Sequence, residues 1–175
     1  MRRTVRISAL AALALVVALS VFLATRHPIS DATSAPSPLL GQRAPALAGA
    51  QLGGGRFDLA AHRGHVVVVN FWSSWCAPCV AEGPELSTYA WRSRASVVVV
   101  GVVFNDALSS AAAFAHRLGS LYPSVIDPGG AIANRYGVTS PPVTFVIDRH
   151  GRVAVTLLGP TNAAQLARVV KRVNS

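Results

Sequence analysis

Two runs of β-branched residues dominate the middle of the chain. Val66-Val67-Val68-Val69-Asn70-Phe71-Trp72 and Val97 to Phe104 are apolar almost without interruption, as expected of strands covered on both faces. Between them Cys76 to Trp91 reads as a helix, which makes the two strands a parallel pair with a right-handed crossover. Ala107–Leu118 is Ala-rich and helical in composition, and Pro128 to Tyr136 fits a short helix stopped by Gly137. Val143–Asp148 and Val153–Leu158 flank Arg149-His150-Gly151, a hairpin signal. Asn162–Val173 closes the chain as a helix with Leu166, Val169, Val170 and Val173 on one face. Before all of these, Gly53-Gly54-Gly55 and Arg56-Phe57-Asp58-Leu59 indicate a turn and the second arm of a small hairpin. The order predicts an α/β sandwich around a mixed sheet.

A different pattern governs the N-terminus. Arg2, Arg3 and Arg6 precede an uncharged run from Ile7 to Ala24, at the short end of what spans a bilayer as a helix. Basic residues before the run and few after it predict the N-terminus inside and the remainder outside. A signal peptidase site at Ala18-Leu19-Ser20 is formally available. Val21-Phe22-Leu23 carry the apolar run past it, which favours an uncleaved signal-anchor; cleavage would leave a secreted protein. Residues 25–40, with Pro28, Pro36 and Pro38, read as a flexible linker, and residues 41–175 as the folded domain.

Composition changes this picture little. The net charge of +9 comes from 16 basic and 7 acidic residues, but the charges are scattered. Only Arg168, Lys171 and Arg172 approach a cluster, and no basic stripe interleaved with aromatics points to nucleic acid. The two cysteines sit three positions apart, too close for their loop to constrain the unfolded chain much. A structural zinc site needs about four ligands, and of the histidines only His62 and His65 are closely spaced.

The chemistry therefore centres on Trp75-Cys76-Ala77-Pro78-Cys79, where a buried strand hands over to a helix. Unpaired N–H groups and the positive end of the helix dipole favour an anion there, and thiolate is the reactive form of cysteine. Cys76 is expected at the exposed helix tip. Cys79, one turn on and covered, can attack a mixed disulfide formed at Cys76. Pro78 fits a first turn whose N–H groups have no helical partner. Glu82 lies three residues beyond Cys79, so a shared helix face lets its carboxylate take the Cys79 proton; a solvated first-turn acid is the plainer reading. Glu85 is expected at the surface.

These residues and their order resemble the TlpA/ResA/CcmG-type thioredoxins, membrane-tethered members of the thioredoxin superfamily. The likeness runs from Gly41-Gln42-Arg43-Ala44-Pro45 through Gly64 to Trp72, the Trp75–Cys79 motif with Glu82, Pro84, Glu85 and Leu86, and Gly137-Val138 to Pro142-Val143-Thr144-Phe145-Val146-Ile147-Asp148. It implies a thioredoxin-like fold, a cis Pro142 that seats the substrate backbone, Trp75 packed beside the site, and a glutamate at Glu82 that tunes the pair. Asn70 stands where cytoplasmic thioredoxins carry a buried acid, and Pro141 departs from the family by removing a backbone N–H.

The function so implied is extracytoplasmic thiol–disulfide exchange, in the reducing direction. The implied clients are disulfide-containing exported proteins such as apocytochrome c, and the implied electron donor is a membrane carrier of the CcdA type. No cofactor beyond the redox-active pair is called for. A disulfide-forming oxidase is the alternative. A copper-delivery module on the same fold would need a third soft or imidazole ligand, and Met1 is the only methionine. A peroxidase is a third class, against which the paired cysteines with Trp75 speak.

Overall fold

The computed structural model describes residues 14–20 and 32–175. They fall in two units, Met1–Ser30 and Asp31–Ser175. In the first, residues 14–20 are helical, with Leu15, Val16, Val17 and Leu19 exposed. No helix among the described residues is long and apolar enough to cross a membrane. The rest of the 7–24 run and residues 25–31 of the linker lie outside the described residues.

The second unit carries strands β1 (Thr33–Ser34), β2 (Ala48–Ala50), β3 (Arg56–Asp58) and β4 (Val66–Trp72), then helix α1 (Ala77–Ser93) and β5 (Val97–Val103). Helix α2 (Leu108–Arg117), β6 (Ser124–Ile126), α3 (Ala131–Tyr136), β7 (Val143–Ile147), β8 (Val153–Leu158) and α4 (Ala163–Asn174) complete it. Six strands form one mixed sheet in the order β1-β8-β7-β4-β5-β6, and β2 and β3 pair separately. β4 runs parallel to β5 and antiparallel to β7. The mixed sheet flanked by helices is the α/β sandwich that the pattern of runs predicts, and the thioredoxin-like architecture that the family resemblance implies.

Alternation along β4 sends its side chains into two cores. Val67, Val69 and Phe71 join Phe145, Tyr136, Leu47 and Phe57 on one side. Val66 and Val68 join Leu86 and Tyr89 of α1 and Leu166, Val169 and Val170 of α4 on the other. Every residue of β4 is buried, so helices and hairpin cover both faces. A third cluster, Trp72, Val103, Ala111 and Phe114, encloses Cys76 and Cys79.

Two strands escape the hydrophobic pattern. β6 is three residues long and pairs with β5 from Gly101↔Ser124 onward. The indole Nε1 of Trp72 donates to Ser124 Oγ at 3.1 Å across Gly101, where an added Cβ would fall 2.6 Å from that nitrogen. Only glycine leaves room for this bond. β1 lies inside the stretch read as a linker and pairs antiparallel with β8 through Thr33↔Leu158 and Ser34↔Leu157. The short helix at 128–136 is split: Pro128–Gly130 forms a 3-10 turn, and Asp127 then caps α3 by accepting from the N–H groups of Ile132 and Ala133. Gly137, at φ 67°, stops α3 as expected.

Candidate active site

β4 ends at Trp72, and four residues carry the chain to α1. Three contacts with the segment after β5 hold this loop. Ser73 Oγ donates to the carbonyl of Phe104, the N–H of Ser74 donates to Asp106 Oδ2 at 2.6 Å, and Trp75 Nε1 donates to the carbonyl of Asn105 at 3.0 Å. Cys76 is then the N-cap of α1: its backbone is extended (φ −85°, ψ 102°) and its sulfur accepts from the N–H of Cys79 at 3.2 Å. A helix start leaves such N–H groups unpaired, so the sulfur occupies the position where a negative charge is best stabilised. Cys76 and Cys79 are joined by a disulfide with Cα atoms 5.2 Å apart.

The exposure expected for Cys76 is not found in this oxidised form. Cys76 is 4% exposed and Cys79 2%. The bridge holds the leading sulfur against its partner, in the cluster with Trp72 and Phe114. Trp75 does not pack into the core; it is 57% exposed, and with exposed Ala77 and Pro78 it forms the outer surface of the site.

Glu82 is no solvated surface acid. It is 1% exposed, and both oxygens are engaged from outside its helix. Oε1 accepts from Asn70 Nδ2 at 2.9 Å, and Oε2 accepts from the N–H of Thr161 at 3.0 Å. Asn70 Nδ2 also donates to Thr144 Oγ1 at 3.0 Å, while Asn70 Oδ1 is buried without a hydrogen-bond partner. Burial pushes the Glu82 carboxyl from 4.5 up to about 7, and the two hydrogen bonds offset only part of that rise. A carboxyl poised there exchanges a proton readily at neutral pH. Glu82 and Cys79 line one small pocket of about 10 Å³ with Asn70, Ser87 and Tyr122, room for about one water molecule. Glu85, expected at the surface, is half-buried and accepts from the N–H of Ala163 at 3.1 Å.

The peptide bond Pro141-Pro142 is cis. Val143 pairs with Phe71, so Pro142 stands at the end of the sheet where β4 runs into the cysteine loop. Pro142 is buried, and an open groove of about 490 Å³ passes Ser140, Pro141 and Pro142, with Pro36 and Pro38 also lining it. Spacing along the helix links Cys79 to Glu82, but Thr144, Thr161 and Asp106 arrive from distant segments, and nothing in the sequence singles them out. Among the described residues no group of three or more His, Cys, Asp or Glu side chains is arranged to hold a metal ion.

A model of the AhpC/TSA family matches residues 40–156. The thiol:disulfide interchange protein HelX of Rhodobacter capsulatus is 34% identical, over 75% of this chain and 74% of its own length. A DsbE homologue of Paracoccus denitrificans, also named a thiol:disulfide interchange protein, is 37% identical over 74% and 72% of the two chains. The crystal structure of a putative DsbE from Chlorobium tepidum superposes with a TM-score of 0.71 at 28% identity, covering 78% of this chain and 98% of that one.

Proposed function

The chain belongs to the AhpC/TSA family and, with its DsbE and HelX relatives, to the TlpA/ResA/CcmG-type thioredoxins, and from that premise we propose that it works outside the cytoplasmic membrane as a disulfide reductase. It is a thiol–disulfide oxidoreductase; the proposal concerns the direction, compartment and clients. The observation that carries the reading is the Cys76–Cys79 disulfide at the start of α1 with the buried Glu82 carboxyl behind it.

In the reduced enzyme the Cys76 thiolate attacks a client disulfide, forming a mixed disulfide and expelling one client thiolate. Glu82 accepts the proton of the Cys79 thiol. The Cys79 thiolate then attacks the Cys76 sulfur and releases the second client thiolate. The client gains two electrons and the Cys76–Cys79 bond reforms. Trp75 and the cis Pro142 flank the point of attack and seat the client backbone. The reaction needs no cofactor beyond the pair itself.

Family likeness supports exported disulfide-containing proteins such as apocytochrome c as clients, and a membrane carrier of the CcdA type as electron donor. The Ile7–Ala24 run supports a single-pass anchor with the catalytic domain outside. The oxidase alternative is not favoured. A reduction potential near thioredoxin's, about −270 mV rather than the roughly −120 mV of strong oxidants, is the expected outcome. Equilibration with glutathione or dithiothreitol measures it, and a value at the oxidising end overturns the direction.

A further inference from the structure

The carboxylate of Glu82 is the inner end of a hydrogen-bonded chain that leaves the site altogether. The N–H of Thr161 donates to Glu82 Oε2, and Thr161 Oγ1 donates to Gln165 Oε1 at 2.9 Å. Gln165 Nε2 donates to the carbonyl of Ala32 at 2.6 Å, and the N–H of Ala32 returns to Gln165 Oε1 at 3.2 Å. All four residues are buried: Glu82 1%, Thr161 0%, Gln165 9% and Ala32 6% exposed. The Gln165 amide thus reads a backbone N–H and C=O as a strand neighbour would, 133 positions away in sequence. A polar side chain held this far inside, with its bonds satisfied, has a definite geometry to lose.

The short loop between β8 and α4 receives this bracing. Its Gly159 N–H donates to the carbonyl of Pro142 at 3.1 Å, so one four-residue loop touches both the cis-proline turn and the Glu82 carboxylate. β1 continues the brace along β8, and the N–H of Ala35 donates to the carbonyl of Thr156 at 3.1 Å.

We propose that Gln165 and Thr161 are positioning residues for the Glu82 carboxylate, with the backbone of Ala32 as the outer anchor of the clasp. The segment that leads into the domain is thereby part of the active-site support rather than a loose tether. The inference rests on the reading of Glu82 as the proton acceptor for Cys79.

The titratable groups facing Glu82 are Cys79 on its own helix and Tyr122 from the segment before β6. Burial, with the charge of Glu82 adding to it, raises the Tyr122 hydroxyl so that it stays neutral. Glu85 lies one turn along α1, bonded to Ala163. Asn70 of β4, Thr144 of β7 and the 159–161 loop present no charge to it. Loosening the clasp weakens the Thr161 N–H bond, which holds the Glu82 pKa down. The carboxyl should then keep its proton to higher pH.

The test uses the full chain and two readouts: the titration midpoint of the Glu82 carboxyl carbon by NMR, and the pH profile of insulin reduction. Gln165→Leu and Thr161→Val are each expected to move the midpoint upward by about one pH unit, and the neutral limb of the profile with it. Thr161→Ser, which keeps the hydroxyl, should retain the parent midpoint. A midpoint unmoved in Gln165→Leu and Thr161→Val overturns the clasp. A profile unmoved in Glu82→Gln instead sinks the role of Glu82, and with it the catalytic meaning of the clasp.

Discussion

The two sides of the Cys76–Cys79 bridge are built on opposite principles. In front, Trp75, Ala77 and Pro78 are exposed, and the loop is fixed from the segment after β5 by Ser73, Ser74 and Trp75. Behind, Cys79, Glu82, Asn70 and Thr144 are all almost wholly buried, and each polar contact is made across the sheet or from the 159–161 loop. A partner's sulfur has to arrive from outside, so the front offers apolar surface that different chains can meet. The back is shielded from solvent, and burial raises the Glu82 carboxyl, which under the proposed mechanism takes the Cys79 proton. Damage in front should alter encounter, and damage behind should alter pH dependence.

The sharpest break in that comparison is Cys76→Ser, which should reduce dithiothreitol-driven insulin reduction to the uncatalysed rate, whatever the state of the rear network. Next comes stability. Glu82 keeps its proton to about 7 in the folded chain, against 4.5 as its reference value. Unfolding between those values therefore releases a proton. The associated stabilisation is intact below 4.5 and is lost as pH rises through 7, on the order of 3 kcal/mol for this group. Urea unfolding from pH 4.5 to 8 should show that decline in the parent and a flatter curve in Glu82→Gln; identical slopes would remove the tuned carboxyl from the account. In turnover, Glu82→Gln should slow the resolving step by on the order of 10²-fold and erase the limb near pH 7, leaving alkylation of Cys76 in the reduced protein little changed. The smallest effect belongs to the front. Trp75→Ala should raise KM about fivefold, equivalent to about 1 kcal/mol of lost contact, with the pH profile unmoved. A shifted profile there would mean the two sides are not separable.

How far the sequence reveals this depends on distance along the chain. β4 and β5 announce themselves as continuous Val-rich runs and β7 and β8 as short β-branched runs on either side of a turn signal, and the cysteine pair is legible because its handover from strand to helix is local. β6 is only Ser124-Val125-Ile126, too short for any period, and it is defined by its pairing with β5, where Gly101 leaves room for the Trp72–Ser124 bond. β1 has two residues, and its neighbours Pro36 and Pro38 point to irregular chain. The burial of Glu82 is equally silent in sequence: helical spacing sets it beside Cys79, but Asn70 and Thr161 make it an interior acid, and they come from another strand and from the far end of the chain. The exposure expected of Cys76 follows from its place at the helix tip, yet in the oxidised form it lies buried in the cluster with Cys79, Trp72 and Phe114.

The way the chain joins the sheet also governs what other chains can do to it. The outer margin of β8 would otherwise present a line of unsatisfied donors and acceptors, which invites a foreign strand. Thr33 and Ser34 occupy it beside Leu157 and Leu158, and the N–H of Gly41 closes it again at the carbonyl of Val153. Between them Pro36 and Pro38 have no N–H to offer outward. The added margin is therefore a poor template for a further strand, and the residues that form it are the same ones that bring the polypeptide in.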